Sequence, residues 1–235
     1  MKAKTPSRPL PEPQAGAPRK RIVLVDDHPM MRAGLAGYID RLPDLEVGGE
    51  AGCPAEAKRL LAKSLPDLLL TDLNMPGGGG TEFIKDLLAV YPGLPILVLS
   101  MHDEEIYGER SLRAGARGYL MKDATPETVV QAIRQVLRGE VYVSPKMQAK
   151  ILEAVTGRRP RGSASPIEKL SDREFEVFQL IGQGKSTRDI ASDLHISPKT
   201  VDVHRAHIKE KLQLLDVTSL IRHAVRWVET EQQEH

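Results

Sequence analysis

The stretch LLLTDLNMPGGGG, residues 68–80, decides how the first half of the chain folds. Three leucines and a threonine in an unbroken run are typical of a strand buried on both faces, as the strands of a parallel sheet are. The run ends at a carboxylate, Asp72, which a proline and four glycines soon follow. Ligands of parallel α/β folds bind beyond the carboxyl ends of the strands, so this aspartate marks a candidate site.

Runs of the same kind flank this stretch and alternate with helical patterns. The four further runs are IVLVDD (22–27), LEVGGEA (45–51), PILVLSM (95–101) and GYLMKD (118–123). Apolar residues recur at helical spacing between and after them, most clearly in TPETVVQAIRQVLRG (125–139). Strict alternation of five strands and five helices predicts a doubly wound α/β domain with a five-stranded parallel sheet over residues 21–140.

The remaining segments differ in composition from this domain. Residues 1–20 are rich in proline and basic side chains and are expected to form a disordered arm. Residues 141–166 are expected to hold one short helix and a linker that contains TGRRPRGSASP (156–166). Residues 167–235 show only helical patterns, which predicts an all-α domain of four helices.

Length, charge and cysteine content limit the class of protein. The 235 residues suffice for two modest domains, and the single cysteine excludes an internal disulfide. No apolar run approaches the roughly 20 residues needed to cross a bilayer, so we expect a soluble cytoplasmic protein without a membrane segment. Residues 166–235 hold ten basic and twelve acidic side chains, net −2. That balance argues against a strongly basic nucleic-acid-binding surface.

Polar side chains stand at the ends of four of the five predicted strands. Asp26 and Asp27 end the first strand, Asp72 the third, Ser100 the fourth and Lys122 the fifth. Parallel strands deliver these groups to one edge of the sheet, where three carboxylates repel one another unless a cation is present. Oxygen ligands without cysteine suit a hard ion, and a sparse site suits Mg²⁺ better than Ca²⁺.

The chemistry of this group suggests phosphoryl transfer. Asp72 can act as a nucleophile toward a phosphoryl group while a metal ion and Lys122 neutralise the transferred oxygens. Phosphorylation would add about two negative charges, to which the Ser100 hydroxyl can donate a hydrogen bond. The glycines at 77–80 either keep the loop clear for a donor or form a flexible turn, and the sequence does not decide between these.

The same motifs resemble bacterial response-regulator receiver domains across residues 21–140. VLVDDHPMMR, LLLTDLNMPGGGG, ILVLSM and GYLMKD match that family in order and spacing. The resemblance implies a flavodoxin-like fold, a phosphoacceptor at Asp72 and a partner sensor histidine kinase. It also implies Mg²⁺ bound by Asp27, Asp72 and the backbone carbonyl of Asn74, with Asp26 in support. The switch residues that it implies are Ser100, Tyr119 and Lys122.

Two predicted helices near the C-terminus begin at recognisable caps. Ser171 with Glu174 three residues later forms a capping box, and Ser197 followed by Pro198 gives an N-cap and a first-turn proline. The short segment HIS (195–197) separates two of the helical periods. Two short helices joined by so tight a turn predict a helix-turn-helix.

The second helix of this pair has two different faces. Val201, Ile208 and Leu212 form an apolar stripe expected to face the core. The opposite face carries lysines, which can contact phosphates, and small apolar groups, which can contact thymine methyl groups. These residue types suit a helix that lies in the major groove of DNA. An ordinary solvated face of mixed charge remains the alternative. The side chains of that face are Lys199, Asp202, Val203, Ala206 and Lys209, with Arg205 near its boundary.

The segment from LSDREFEV to HIKEKL resembles the LuxR-type DNA-binding domain, and a receiver followed by this module is the NarL/FixJ architecture. The resemblance implies that the residues just named, and their neighbour Thr200, contact double-stranded DNA. Asp202 departs from the basic residue frequent at its position. The resemblance also implies a homodimer formed through the last helix, with a plain packing role as the alternative. The residues concerned are Val217, Leu220, Ile221 and Ala224.

The sequence favours a phosphorylation-regulated transcription factor over two other functions. An aspartate nucleophile with Mg²⁺ also occurs in phosphatases of the haloacid dehalogenase kind, which need a second acid two residues after the nucleophile. Asn74 stands there, and a carboxamide cannot act as a general acid, so we do not expect an enzyme. A phosphorylation-independent transcription factor with a vestigial acidic site is the remaining alternative.

Overall fold

The computed structural model describes residues 18–75, 80–156 and 166–233. Most of the predicted arm, glycine loop and linker therefore lie outside the described residues. The first elements are β1 (Lys20–Val25), α1 (Pro29–Ile39), β2 (Leu45–Ala51), α2 (Pro54–Lys63), β3 (Leu68–Thr71), α3 (Gly80–Val90), β4 (Ile96–Ser100), α4 (Glu104–Arg113), β5 (Gly118–Met121) and α5 (Pro126–Leu137). The later ones are α6 (Pro145–Val155), a 3₁₀ helix (Pro166–Lys169), α7 (Asp172–Gly182), α8 (Thr187–Asp193), α9 (Pro198–Lys211) and α10 (Val217–Gln233).

The five strands form one parallel sheet in the order β2-β1-β3-β4-β5. This arrangement confirms the predicted doubly wound α/β fold. The winding direction reverses between β1 and β3, and their carboxyl ends therefore border the crevice where such folds bind ligands. Strand β2, which carries no predicted site residue, lies at the edge of the sheet.

Alternate residues of each strand enter two apolar cores. Leu68 and Leu70 face the layer that contains α1 and α5, whereas Leu69 faces the layer that contains α2, α3 and α4. All three leucines are at most 3% exposed. Burial on both faces explains why the strand reads as a continuous apolar run.

Helix α6 packs on α4 beside the free edge of β5. The backbone of Tyr142 pairs with Gly118, and the hydroxyl of Ser144 donates to a Glu104 carboxylate oxygen at 2.6 Å. A Cβ on Gly108 would lie 2.7 Å from the sulfur of Met147, so a larger residue on α4 would displace this side chain of α6. The segment after α5 thus extends the α/β unit.

The C-terminal helices form a separate all-α unit, as predicted. Ser171 and Glu174 make the expected capping box, with a second box between Ser186 and Asp189 at the start of α8. His195 adopts a positive φ of 53° in the tight turn between α8 and α9. Fully buried side chains from α7, α9 and α10 form its core, namely Phe178, Val201, Ile208, Leu220 and Ala224.

Among residues 18–75, 80–156 and 166–233, no helix combines the length and the apolar character that crossing a bilayer requires.

Candidate functional site

Lys122 joins two of the predicted carboxylates at the carboxyl edge of the sheet. Its ammonium nitrogen lies 2.7 Å from Asp26 Oδ2 and 2.8 Å from Asp72 Oδ2. The three side chains come from the ends of β5, β1 and β3 and are at most 7% exposed. The strand register therefore assembles a buried cluster from residues up to 96 positions apart in the sequence.

Burial and charge act in opposite directions on these groups. Burial raises the pKa of the Asp72 carboxyl, and the hydrogen bond from Lys122 opposes that increase. Burial would lower the pKa of the Lys122 ammonium, but the carboxylates of Asp26 and Asp72 outweigh it and raise that pKa. The lysine is thus favoured in its protonated form, whereas the pKa of Asp72 stays raised on balance because Lys122 offsets burial only in part. The ionised carboxylate is the form that can act as a nucleophile.

Asp27 lies beside this cluster together with His28, which the sequence analysis did not single out. His28 Nδ1 lies 2.7 Å from Asp27 Oδ1 and 3.2 Å from Asp26 Oδ1. Together with Asp72, these residues offer ligand atoms that all lie within 4.8 Å of one another. The His28 contact lacks hydrogen-bond geometry, so Asp27 Oδ1 is buried without a donor. An oxygen-rich cluster with an unsatisfied oxygen fits a hard divalent cation.

Backbone groups near the end of β3 orient Asp72. The amides of Leu73 and Asn74 donate to Asp72 Oδ1 at 2.6 and 3.2 Å. One carboxylate oxygen is thus held by the loop and the other by Lys122. The side chain is fixed from both sides.

Ser100 and Tyr119, the other predicted switch residues, are both buried, Ser100 at the end of β4 and Tyr119 within β5. Ser100 is fully buried and Tyr119 is 1% exposed. The Tyr119 hydroxyl donates to the backbone carbonyl of His102 at 2.7 Å, and burial raises the pKa of that hydroxyl. Tyr119 is therefore tied to the β4–α4 loop.

The predicted DNA-reading face of α9 is largely open to solvent. Val201 and Ile208 are fully buried, as their spacing predicted, and Leu212 is partly buried. Lys199, Asp202, Val203 and Ala206 are exposed, whereas Thr200, Arg205 and Lys209 are half-buried. Arg205 donates to the Thr187 hydroxyl at 2.6 Å and thereby links α9 to α8.

The prediction for α10 needs a correction at two of its four residues. Leu220 and Ala224 are fully buried in the core of their own domain, so they cannot form a contact surface for another copy. Val217 and Ile221 are 44% and 42% exposed. At 100° per residue the four side chains share one stripe about 100° wide, with Leu220 and Ala224 on its flank toward the core and Val217 and Ile221 on its flank toward solvent. The dimerisation prediction is narrowed to Val217 and Ile221.

The acidic site opens into a cleft between the two domains, which the sequence did not reveal. This interdomain cleft has a volume of about 420 Å³. Asp27, His28 and Asn74 line the receiver side, and Phe175, Glu176 and Gln179 of α7 line the other.

Arg110 on α4 holds the two domains together. Its guanidinium donates to the carbonyls of Leu170 and Ile167 at 2.9 Å each and to Asp172 Oδ1 at 3.1 Å. It also lies over the ring of Phe175, 4.4 Å from the centroid. Sequence spacing gives no sign of this contact, because the partners lie 57 or more positions further along the chain.

Aromatic rings continue the contact between the domains. The ring of His102 stacks on Tyr107 with centroids 4.2 Å apart, and Tyr107 packs edge-on against Phe175 at 5.2 Å. Trp227 of α10 lies 6.5 Å from Tyr107, and the amide of Gln179 hydrogen-bonds the Tyr107 hydroxyl.

Comparisons with known proteins match both domains. The family profile "Response regulator receiver domain" matches residues 22–134, and the profile "Bacterial regulatory proteins, luxR family" matches residues 168–224. The oxygen regulatory protein NreC of Staphylococcus carnosus is 35% identical over 210 residues, which cover 88% of this chain and 97% of NreC. The response regulator GacA of Pseudomonas aeruginosa is 35% identical over 206 residues, which cover 88% and 95%.

A solved structure shows the same architecture. RcsB from Salmonella enterica serovar Typhimurium, bound to the promoter P1flhDC in the presence of phosphomimetic BeF3-, superposes with a TM-score of 0.68 and 25% identity. The match covers 88% of this chain and 98% of RcsB.

A parallel α/β domain with acidic residues at its carboxyl edge, followed by a helix-turn-helix domain, defines the two-component response regulators that bind DNA. The chain belongs to this family, and within it to the NarL/FixJ type, with a receiver domain and a LuxR-type DNA-binding domain. The predicted fold class and function are confirmed.

Proposed function

We propose that Asp72 accepts a phosphoryl group and that this modification controls how the protein binds double-stranded DNA and regulates transcription. The observation that carries the proposal is the buried cluster in which Lys122 bridges Asp26 and Asp72. An oriented carboxylate beside an ammonium group is suited to attack a phosphoryl donor and to neutralise the oxygens transferred. The alternative of a vestigial acidic site is not favoured, because each of its predicted side chains is present and arranged for this chemistry.

We propose Mg²⁺ as the cofactor, held by Asp27, Asp72 and the backbone carbonyl of Asn74, with Asp26 in support. The buried Asp27 oxygen without a donor is the observation that supports a cation. When bound, the ion neutralises charge on the phosphoryl oxygens. The protein's own contribution is to orient Asp72 through Lys122 and the amides of Leu73 and Asn74.

The switch residues provide a route from the site to the second domain. We propose that Ser100 donates a hydrogen bond to the new phosphoryl group and that Tyr119 then changes position. Tyr119 is bound to the carbonyl of His102, whose ring stacks on Tyr107, and Tyr107 contacts Phe175 of α7. Movement of Tyr119 therefore disturbs the contact between the domains.

The DNA-binding role rests on α9 and on dimer formation. We propose that a homodimer forms when the protein is phosphorylated or bound to DNA, with Val217 and Ile221 in its contact. Each subunit of the dimer then binds DNA only moderately, but once one subunit is bound, binding by the second is nearly intramolecular. This cooperation offsets the low basicity of the domain. The DNA-contacting residues that we propose are Lys199, Thr200, Asp202, Val203, Arg205, Ala206 and Lys209.

We propose a sensor histidine kinase as the physiological phosphoryl donor and assign the chain no enzymatic turnover. The receiver occupies residues 21–140 in this proposal, a short helix and linker 141–166, and the DNA-binding domain 167–235. Residues 1–20 are assigned to a basic arm.

The test is to map the modified residue. Full-length protein is incubated with acetyl phosphate and Mg²⁺, and its peptides are analysed by mass spectrometry. We expect an adduct on Asp72 that is absent from Asp72→Ala and from samples with a chelator. Asp86→Ala, whose side chain is 61% exposed on α3, serves as a control that keeps the adduct. An adduct elsewhere, or none in wild type, contradicts the proposal.

A further inference from the structure

The docked arrangement covers one functional surface and exposes another. The acidic site opens into the interdomain cleft, one wall of which is α7 of the DNA-binding domain. The proposed DNA-contacting residues Lys199, Asp202 and Val203 of α9 are exposed at the same time. The contact between the domains therefore narrows the approach to Asp27 and His28, which lie beside Asp72, and leaves these α9 side chains open.

Helix α7 also lies close to the receiver at the start of α3. Glu176 Oε1 lies 2.6 Å from the place that a Cβ on Gly80 would occupy, and Gly80 has a φ of +75°. That oxygen is buried without a hydrogen-bond partner, while Oε2 accepts from Arg173 at 2.7 Å. Glycine is thus favoured at position 80 by its backbone conformation, and a Cβ there would displace the end of the Glu176 side chain.

The size of the cleft discriminates between small-molecule and protein-borne phosphoryl donors. A volume of about 420 Å³ falls within the range of pockets that hold small molecules. A donor carried on another protein needs about 800 Å² of contact surface on its partner, and α7 occupies the surface beside the acidic site. A small molecule therefore fits in the cleft beside α7, whereas a folded donor domain would clash with that helix.

We propose that the docked DNA-binding domain selects the phosphoryl donor by size, admitting small acyl phosphates or phosphoramidates and excluding phosphohistidine on a protein until the domains separate. The inference rests on the proposed phosphorylation of Asp72. With phosphoimidazole as donor, the bond between phosphorus and Asp72 oxygen forms as the phosphorus–nitrogen bond breaks. The imidazole leaves with the electron pair and takes a proton from water.

Arg110→Ala is the variant that separates the domains, because it removes three hydrogen bonds and the contact with Phe175. Arg113→Ala is the matched control: the same residue type on the same helix, 73% exposed and paired only with Glu109 among the described ion pairs. Gln179→Ala, which removes the bond to Tyr107, is a second variant should Arg110→Ala fail to fold. Trp227 is the chain's single tryptophan and packs near Tyr107, so its fluorescence reports separation.

The experiment compares two donors that share the phosphorus–nitrogen bond. Full-length proteins receive either phosphoimidazole or a four-helix phosphotransfer domain carrying phosphohistidine, and labelling of Asp72 is timed. We expect Arg110→Ala to raise the rate from the protein-borne donor about tenfold, a usual size for coupling between sites, relative to the rate from phosphoimidazole. Arg113→Ala should behave as wild type.

The two rates also separate the possible failures. The inference is overturned if Trp227 fluorescence shows that the domains of a variant have separated but the ratio of its labelling rates, protein-borne donor to phosphoimidazole, equals that of wild type. It is also overturned if the protein-borne donor labels neither variant. Absence of any label from phosphoimidazole, in wild type and variants alike, would instead contradict the phosphorylation of Asp72.

Discussion

At the scale of single residues, Lys122 holds the acidic site together. Its side chain is 2% exposed and bridges two carboxylates that are also buried. Removing one partner of a buried ion pair leaves uncompensated charge and costs about 3–5 kcal/mol. We expect Lys122→Ala to lower the free energy of unfolding by about 3 kcal/mol, measured by urea denaturation without divalent ions. Lys20→Ala breaks the pair with Asp67, whose partners are 54% and 33% exposed, and should cost less than about 1 kcal/mol. Equal effects of the two substitutions would refute this role of Lys122.

A divalent cation should stabilise the same cluster. Binding to the folded state alone adds about 2.7 kcal/mol at a hundred times the dissociation constant. We expect Mg²⁺ to raise the melting temperature of wild type, and a chelator to reverse the increase. The increase should be absent in Asp27→Ala and unchanged in Asp44→Ala, whose side chain pairs with Arg134 instead. An equal increase in Asp27→Ala would show that the ion binds elsewhere.

At the scale of elements, the capping box of α7 supports the helix that contacts the receiver. The Ser171 hydroxyl accepts from the amide of Glu174, and the Glu174 carboxylate accepts from the amide of Ser171. Loss of such a cap costs about 1 kcal/mol. Ser171→Ala should lower the free energy of unfolding by that amount, whereas Ser192→Ala, at an exposed position of α8, should change it little. Equal losses from both would show that the cap contributes nothing.

Helix α5 is tied to the start of β2 by an ion pair that depends on pH. Arg134 donates to both oxygens of Asp44 at 2.8 and 2.7 Å, and these bonds hold the pKa of Asp44 below its usual value. A carboxyl whose pKa is lower in the folded than in the unfolded protein stabilises the fold. This stabilisation is fully present at pH values above the unfolded pKa of about 4, and it is lost as the pH falls through the folded pKa. Urea denaturation at pH 7 should therefore show a lower free energy of unfolding for Arg134→Ala. The difference from wild type should shrink as the medium is made acidic. A difference that stays constant down to pH of about 3 would contradict the linkage.

The sequence predicted these elements where the pattern was local. Each strand run and helix cap depends on neighbours a few positions away, and so the sheet, the acidic edge and the helix-turn-helix were all predicted. The burial of Leu220 and Ala224 was missed, because four apolar residues on one helix do not reveal which of them face their own core. His28 was also missed, although it follows the acidic pair directly in the sequence.

At the scale of the whole molecule, the contact between the domains was beyond prediction. Arg110, Tyr107 and Phe175 have no distinctive spacing, and each carries an unremarkable local pattern. Their roles depend on how the surfaces of two folded domains pack together. The spacing of residues within a single helix or strand cannot predict such packing. This contact links Tyr119 to α7 through His102 and Tyr107. We propose it as the route by which charge at Asp72 reaches the DNA-binding domain.

The most direct test of that route is to map the DNA bound by wild type and by Asp72→Ala after treatment with acetyl phosphate and Mg²⁺. We predict that wild type selects fragments sharing a two-part sequence and that Asp72→Ala loses most of this selection. Asp86→Ala should match wild type. Identical fragments at equal occupancy for wild type and Asp72→Ala would contradict control of DNA binding by phosphorylation.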